Sequence, residues 1–296
     1  EVMKWTNTSD QINIINVSNT GSGDFASGSY ITVWGASDDI VSDEKDSITN
    51  VEAGTRYEET DTRKIYRKVD PTPTTLSDDF SGTDDWVDND SAAIGVSSGA
   101  MNWKSDESNT SNDASTYDLG VGNVSDTQWI LRFEFKVVTK GTVGGGNGLS
   151  VGLGDSNQSV SSTTSQDWIG WNWNYDNTEK YLSSDSDNAS MPQVWDGDGS
   201  QAFTFTTGTT YYVEVIRSSA TVYTTEVFTN SDFSTGSQGK ITGACASTNG
   251  SHRYIRVTNM ANSSGAGGTD GTIKNIKFYN GVTSVSTDEW KERGTA

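Results

Sequence analysis

The sequence predicts an all-β protein, an antiparallel two-sheet sandwich preceded by a small β domain. Three observations predict it. Leu131, Phe133, Phe135 and Val137 alternate with Arg132, Glu134 and Lys136, the period of a half-buried strand. From residue 76 to 282, short runs of this kind recur between turns of Gly, Ser, Asn and Asp. No window keeps helical periodicity beyond about two turns. Composition agrees. Only 32% of the 296 residues are hydrophobic, yet there are 10 Trp, 11 Tyr and 9 Phe. Disordered chains are poor in aromatics. Each large ring buries roughly 150–250 Å², so a few can anchor thin layers.

Residues 1–70 read as a small polar β region that attaches or assembles the chain. Ile12 and Ile14, then Ile15 and Val17, alternate with polar residues, one position out of phase. Ser29 to Trp34 reads as a strand closed by Gly35. A hairpin is expected from Gly54 to Val69, turning at Thr60-Asp61, with Glu58 and Glu59 facing Arg63 and Lys64. Two of the three prolines fall in Pro71-Thr72-Pro73-Thr74-Thr75, an extended linker over 71–75. The sandwich then occupies 76–282. Its strands include Trp168 to Tyr175, Tyr211 to Ile216, Thr221 to Phe228, Arg253 to Val257 and Thr272 to Tyr279. Residues 283–296 read as a polar tail with Trp290 as its one large side chain.

Charge and rare residues exclude several functions. With 40 acidic and 20 basic residues the chain carries −20, which argues against nucleic acid and anionic membrane surfaces. No apolar run is long enough to cross a membrane as a helix. The opening Glu1-Val2-Met3-Lys4-Trp5 has no apolar leader core. One Cys, Cys245, forms no internal disulfide, and its small neighbours suggest a buried thiol. One His, His252, leaves no material for a His-rich metal site; it follows Gly250-Ser251 and is expected in solvent at a turn.

The sandwich region resembles the laminin-G-like, concanavalin A-like jelly-roll domains of phage, archaeal-virus and microbial surface proteins. The resemblance rests on Ser77-Asp78-Asp79-Phe80-Ser81, Asp84-Asp85-Trp86-Val87, Trp129 to Phe133, Gly152-Leu153-Gly154-Asp155, Tyr211 to Arg217 and Asp270 to Tyr279. Residues 54–66 resemble a segment that precedes such domains in fibre-like proteins. The resemblance implies a jelly-roll sandwich and a surface or virion role. It implies no single activity, because the fold hosts lectins, glycosidases and structural modules.

Candidate sites follow from residue type and spacing. Glycosidases need two carboxylates flanking the bond. The Glu-x-Asp-x-Glu run of the resembling glycosidases is absent, and Asp43-Glu44-Lys45-Asp46 has the wrong spacing. A two-residue turn at Ser218-Ser219 sets Glu214 against Tyr223 and Glu226 against Tyr211, so these carboxylates project from opposite faces. No catalytic residue is expected. Trp171, Trp173 and Tyr175 share one strand face and could stack on sugar rings, with Asn172, Asn174 and Asp176 bonding hydroxyls; the competing reading is that the rings are core. Calcium, the one cofactor considered, has two candidate places, Asp196 with Asp198, and Asp79 with Asp270 where the first and last sandwich strands meet. The first lacks the Glu of an EF-hand. Nine glycosylation sequons occur, at Asn7, Asn16, Asn89, Asn109, Asn123, Asn157, Asn188, Asn249 and Asn262.

The expected function is a non-enzymatic structural protein of a virion or cell surface, a decoration, spike or adhesin that presents its jelly roll outward. Its expected partners are other subunits of the assembly, as a homo-oligomer. The alternatives are a lectin-like module that takes glycans and a glycoside hydrolase.

Overall fold

The computed structural model describes residues 53–59, 62–69, 71–82, 85–88, 93–105, 113–141, 147–157, 166–175, 179–189, 199–259, 268–286 and 289–295. The strands expected at 12–17 and 29–34, and the acidic run at 43–46, lie outside these residues. Among the described residues the chain is all-β without helix.

One sheet of the sandwich has seven strands. They are β4 (Val87–Asp88), β7 (Ala114–Asp118), β9 (Asn147–Gly154), β10 (Gln166–Tyr175), β11 (Glu179–Ala189), β12 (Gly199–Ala202) and β16 (Tyr254–Asn259), in the order β12-β11-β10-β9-β16-β7-β4. The other has eight: β3 (Leu76–Asp78), β5 (Ile94–Ser97), β6 (Ala100–Ser105), β8 (Trp129–Thr139), β13 (Thr210–Arg217), β14 (Val222–Phe228), β15 (Ser237–Ala244) and β17 (Thr269–Asn280). Its order is β15-β14-β13-β8-β17-β6-β5, and β3 also pairs with β17. All pairings are antiparallel.

Side-chain alternation places the core between the sheets. On β8, Leu131, Phe133, Phe135 and Val137 are buried. They meet Leu149, Val151, Trp171, Trp173 and Tyr181 of the seven-stranded sheet in one apolar cluster. Phe135 is the hub, with ring centroids 5.0 Å from Trp171, 5.8 Å from Trp173, 5.1 Å from Phe205 and 6.0 Å from Trp103. Such pairs contribute about 0.5–1.5 kcal/mol each beyond burial, which is how aromatics compensate for scarce aliphatics.

The expected N-terminal hairpin forms as β1 (Arg56–Glu58) and β2 (Lys64–Val69), with Glu58 3.4 Å from Arg63. The tail over 283–296 needs correction. Residues of β18 (Glu289–Thr295) pair with β2, so both ends of the described chain build one three-stranded sheet, β1-β2-β18. The jelly roll is thus an insertion between β2 and β18. The two connecting segments run together: Thr72 N donates to the Ser286 carbonyl at 2.9 Å, and Ser286 N to Thr72 Oγ1 at 2.8 Å.

Candidate functional site

The strand β10 divides its residues between two faces. Trp171 and Trp173 point into the core and are fully buried. Tyr175 stacks on Trp173 at 5.7 Å and 7°. Trp173 Nε1 donates to Glu179 Oε1 at 3.1 Å, and Lys140 Nζ holds Glu179 Oε2 at 2.6 Å. The three rings expected to stack on sugar are therefore core packing. A strand inside a sandwich buries one whole face, and these rings occupy it.

Asn172 and Asn174 lie on the opposite face, the outer face of the seven-stranded sheet. Register builds a row there. Asn172 is opposite Ser150 on β9, and Ser150 is opposite Thr258 on β16. Asn174 sits two positions along, opposite Gly148. Asn172, Asn174, Ser150 and Thr258 are all buried. Both amide atoms of Asn172, Oδ1 of Asn174 and Oγ1 of Thr258 have no hydrogen-bond partner among the described residues. Leaving such a group buried and unmet costs about 1–3 kcal/mol.

Beside this row lies Trp168, which sequence alternation assigns to the same face. Its indole rests on Gly170 and Gly152; a Cβ at either glycine would strike the ring. Trp168 Nε1 donates to Ser184 Oγ at 3.2 Å. The Arg256 guanidinium lies 4.8 Å from the ring centroid and Nη1 donates to Gln166 Oε1 at 2.6 Å. Burial pulls Arg256 down to about 10, with Asp155 opposing that shift. Burial also pushes the Asp155 carboxyl up, and the charge on nearby Asp167 adds to the rise. The face therefore combines a planar ring, a cation, paired amides and hydroxyls.

Sequence reasoning named Asn172 and Asn174 but missed Trp168, Arg256, Ser150 and Thr258. A signal was present in β9. Gly148, Ser150, Gly152 and Gly154 alternate with Leu149, Val151 and Leu153, so one face of that strand carries only small residues. Small residues on a strand face mark a close approach by something else.

Other expected sites fall elsewhere. Asp79 and Asp270 do not meet. Asp78 is opposite Ile276, and Asp270 lies six residues back along β17, roughly 20 Å at strand rise. Neighbouring strands do not bring together residues at opposite ends of their register. Asp79 Oδ1 instead accepts from Ser81 N at 3.0 Å and Ser81 Oγ at 2.6 Å, which lowers its pKa. Among the described residues no group of three or more His, Cys, Asp or Glu is placed to hold a metal. Asp196, Asp198 and Asp176 lie outside them, as do sequons Asn7, Asn16, Asn89, Asn109 and Asn262. Asn188 lies within β11. Asn123 and Asn157 are exposed. Asn249 is buried, donating to the Trp168 carbonyl at 3.1 Å and contacting His252 Nε2 at 2.9 Å, so the folded chain offers no room for a glycan there.

His252 is also a correction. It is buried rather than solvated, and burial with the Arg217 charge holds it down at about 3. The Gly250-Ser251 turn folds inward because Asp167 Oδ2 and Asp126 Oδ1 accept its backbone N–H groups at 2.8 and 2.7 Å. Cys245 is buried, as its neighbours suggested.

The β13–β14 turn is longer than two residues. Arg217 is opposite Tyr223, and Ser218 N donates to the Val222 carbonyl at 3.0 Å. Glu214 therefore faces Glu226 directly, on one face of the eight-stranded sheet. This does not make a catalytic pair. Arg132 binds Glu214 Oε2 through Nε at 2.7 Å and Nη2 at 2.6 Å, with Phe233 over the guanidinium at 4.3 Å. Ser237 Oγ donates to Glu226 Oε1 at 2.5 Å. Both carboxylates are engaged by the protein's own groups.

No family model matches the chain, and no curated protein matches it in sequence. Solved structures do match in architecture. Peanut lectin, in a structure with a nine-residue peptide, is 12% identical with a TM-score of 0.50, over 72% of this chain and 98% of the lectin. A Lotus tetragonolobus seed lectin isoform is 9% identical with a TM-score of 0.50, over 71% and 98%. The fold is the legume-lectin type of jelly-roll sandwich. At these identities the likeness is one of fold alone.

Proposed function

We propose that the protein is a non-enzymatic carbohydrate-binding module that takes a saccharide onto the outer face of its seven-stranded sheet. The observation carrying this is the buried row of Asn172, Asn174 and Thr258 with unmet donors and acceptors, beside Trp168 on its glycine floor. A side-chain amide offers both an acceptor and two donors, the complement of vicinal hydroxyls. An indole beside it offers a flat apolar surface for the C–H face of a ring. The row is closed to solvent in this structure.

The acidic, wet composition supports an extracellular or surface location. The three-stranded sheet, joined to the jelly roll by two short segments, supports attachment to a larger virion or cell-surface assembly as decoration, spike or adhesin. A glycan array tests the reading. Binding of one or more neutral saccharides by the native chain, lost in Asn172→Leu and Asn174→Leu variants that keep their fold, supports it. Silence across the array, or binding unchanged in both variants, overturns it.

A further inference from the structure

The outer face of the eight-stranded sheet carries a second, open groove. Two depressions of 290 and 370 Å³ adjoin there, and Val138 and Thr272 line both. One register row crosses it. Thr210 is opposite Lys136, Lys136 opposite Thr272, Thr272 opposite Asn102 and Asn102 opposite Gly95. Five strands at about 4.8 Å spacing make this row roughly 19 Å long. Hydroxyl, ammonium, hydroxyl and amide follow in order across the strands. Val138 stands beside the row at 46% exposure, an apolar contact for a ligand's carbon skeleton.

The chain carries −20, but the lining of this groove is balanced: Lys104, Lys136 and Lys274 share it with Asp88, Asp270 and Glu134. Lys136 and Lys274 make no ion pair or hydrogen bond among the described residues. Lys274 has a carboxylate directly opposite, Glu134. An ion pair across the strands is the ordinary outcome for such neighbours. Here Glu134 Oε1 instead accepts from Asn275 Nδ2 at 2.8 Å. Asn275 reaches it from the register shift of β17 between Lys274 and Lys277, where its own backbone sits at φ 49°. The irregularity thus gives one oxygen of Glu134 to an amide, and the lysines flank this carboxylate without forming an ion pair with it. Lys274 is diagonal to Lys136 across β8 and β17, so their Cβ atoms are about 7–8 Å apart.

We propose that this groove binds a linear anionic saccharide, lying across the strands with its carboxylate or sulfate groups on Lys136 and Lys274 and its hydroxyls on Thr210, Thr272 and Asn102. The site is on the opposite side of the sandwich from the Asn172 row and does not depend on it. Net repulsion between the chain and a polyanion works against non-specific uptake, so binding reports this local arrangement.

The test is calorimetric titration of the full chain with alginate, dextran sulfate and neutral dextran at low and high salt. Alginate carries carboxylate and dextran sulfate carries sulfate. Binding of either at low salt, at least tenfold tighter than dextran and weakened by salt, is expected. A Lys136→Glu, Lys274→Glu double variant should lose it at least tenfold, and Lys136→Arg, Lys274→Arg should keep it. Arg67→Glu, a charge reversal on the small sheet, should also keep it, as should Asn172→Leu. Equal binding of all three polymers overturns the proposal, as does binding that survives the double Glu variant or falls equally in Arg67→Glu. Circular dichroism verifies that the Lys variants remain folded. Loss of neutral-glycan binding in Asn172→Leu with alginate or dextran sulfate binding intact would separate the two sites.

Discussion

The outer faces of the two sheets solve opposite problems. The face of the seven-stranded sheet is closed, and its polar groups are mostly uncharged. It hides Asn172, Asn174, Ser150 and Thr258 from water and leaves several of their atoms unmet. The face of the eight-stranded sheet is open and charged. Arg132, Ser237 and Asn275 bind Glu214, Glu226 and Glu134, while half-buried Lys136 and exposed Lys274 make no ion pair or hydrogen bond among the described residues. Both are outward faces of antiparallel sheets, for which water is the default neighbour. The difference teaches that polarity alone does not mark a site. The informative group is the one whose partner is missing for a structural reason: burial on one face, a competing amide on the other.

The largest expected effect concerns acid at the border of the closed side. His252 bonds Asn249, which holds the Trp168 carbonyl at the border of that face. Its pKa falls from 6.5 in the unfolded chain to about 3 in the folded one. Between those values the unfolded state binds the extra proton, so stability declines as pH falls below 6.5, by about 1.4 kcal/mol per unit. His252→Gln should flatten that slope in urea melts between about pH 6.5 and pH 5, above most carboxylate titration. An unchanged slope would show that His252 is not the group responsible.

Crowding comes next. Gly170→Ala should destabilise by about 2–3 kcal/mol, because the new Cβ meets both the Trp168 ring and the Val151 carbonyl. Thr272→Val on the open face should stay within about 0.5 kcal/mol. Similar losses for the two, measured by denaturant midpoint, would erase the distinction between the faces.

A smaller effect carries the reverse sign. Asn172→Leu removes two unmet polar atoms from a buried place and should stabilise the ligand-free chain by about 1 kcal/mol, or about 2–4 °C in Tm. A site kept for structure alone would lose stability instead. The smallest effect belongs to Lys136→Glu with Lys274→Glu. Tm should move by less than about 2 °C, since neither lysine makes an ion pair that the change would break and charges near the surface contribute little.

Much of the fold was legible because it is periodic. The alternation of Leu131 to Val137 announced β8, and the alternation of Asn172 and Asn174 with Trp171, Trp173 and Tyr175 sat on a strand whichever face was buried. What could not be read was register and distance. The β13–β14 connection has Ser, Ala and Thr residues compatible with several turn lengths, and one residue more or less flips Glu214 relative to Glu226. β18 looked like a polar tail because its partner lies about 220 residues earlier, and no local pattern announces such a pairing. His252 followed two turn-forming residues, and only the carboxylates of Asp126 and Asp167, far away in sequence, pull that turn inward.

The tie between Thr72 and Ser286 has a mechanical consequence. A domain hung on one strand of chain can swivel about single bonds. Here the jelly roll hangs on two leads fastened to each other within hydrogen-bond distance, and both continue into strands of the same small sheet. Twisting one against the other must first break that fastening. Whatever direction the small sheet faces is therefore passed on to the sandwich as an orientation, and a tug on the sandwich is shared between two lines of chain rather than one.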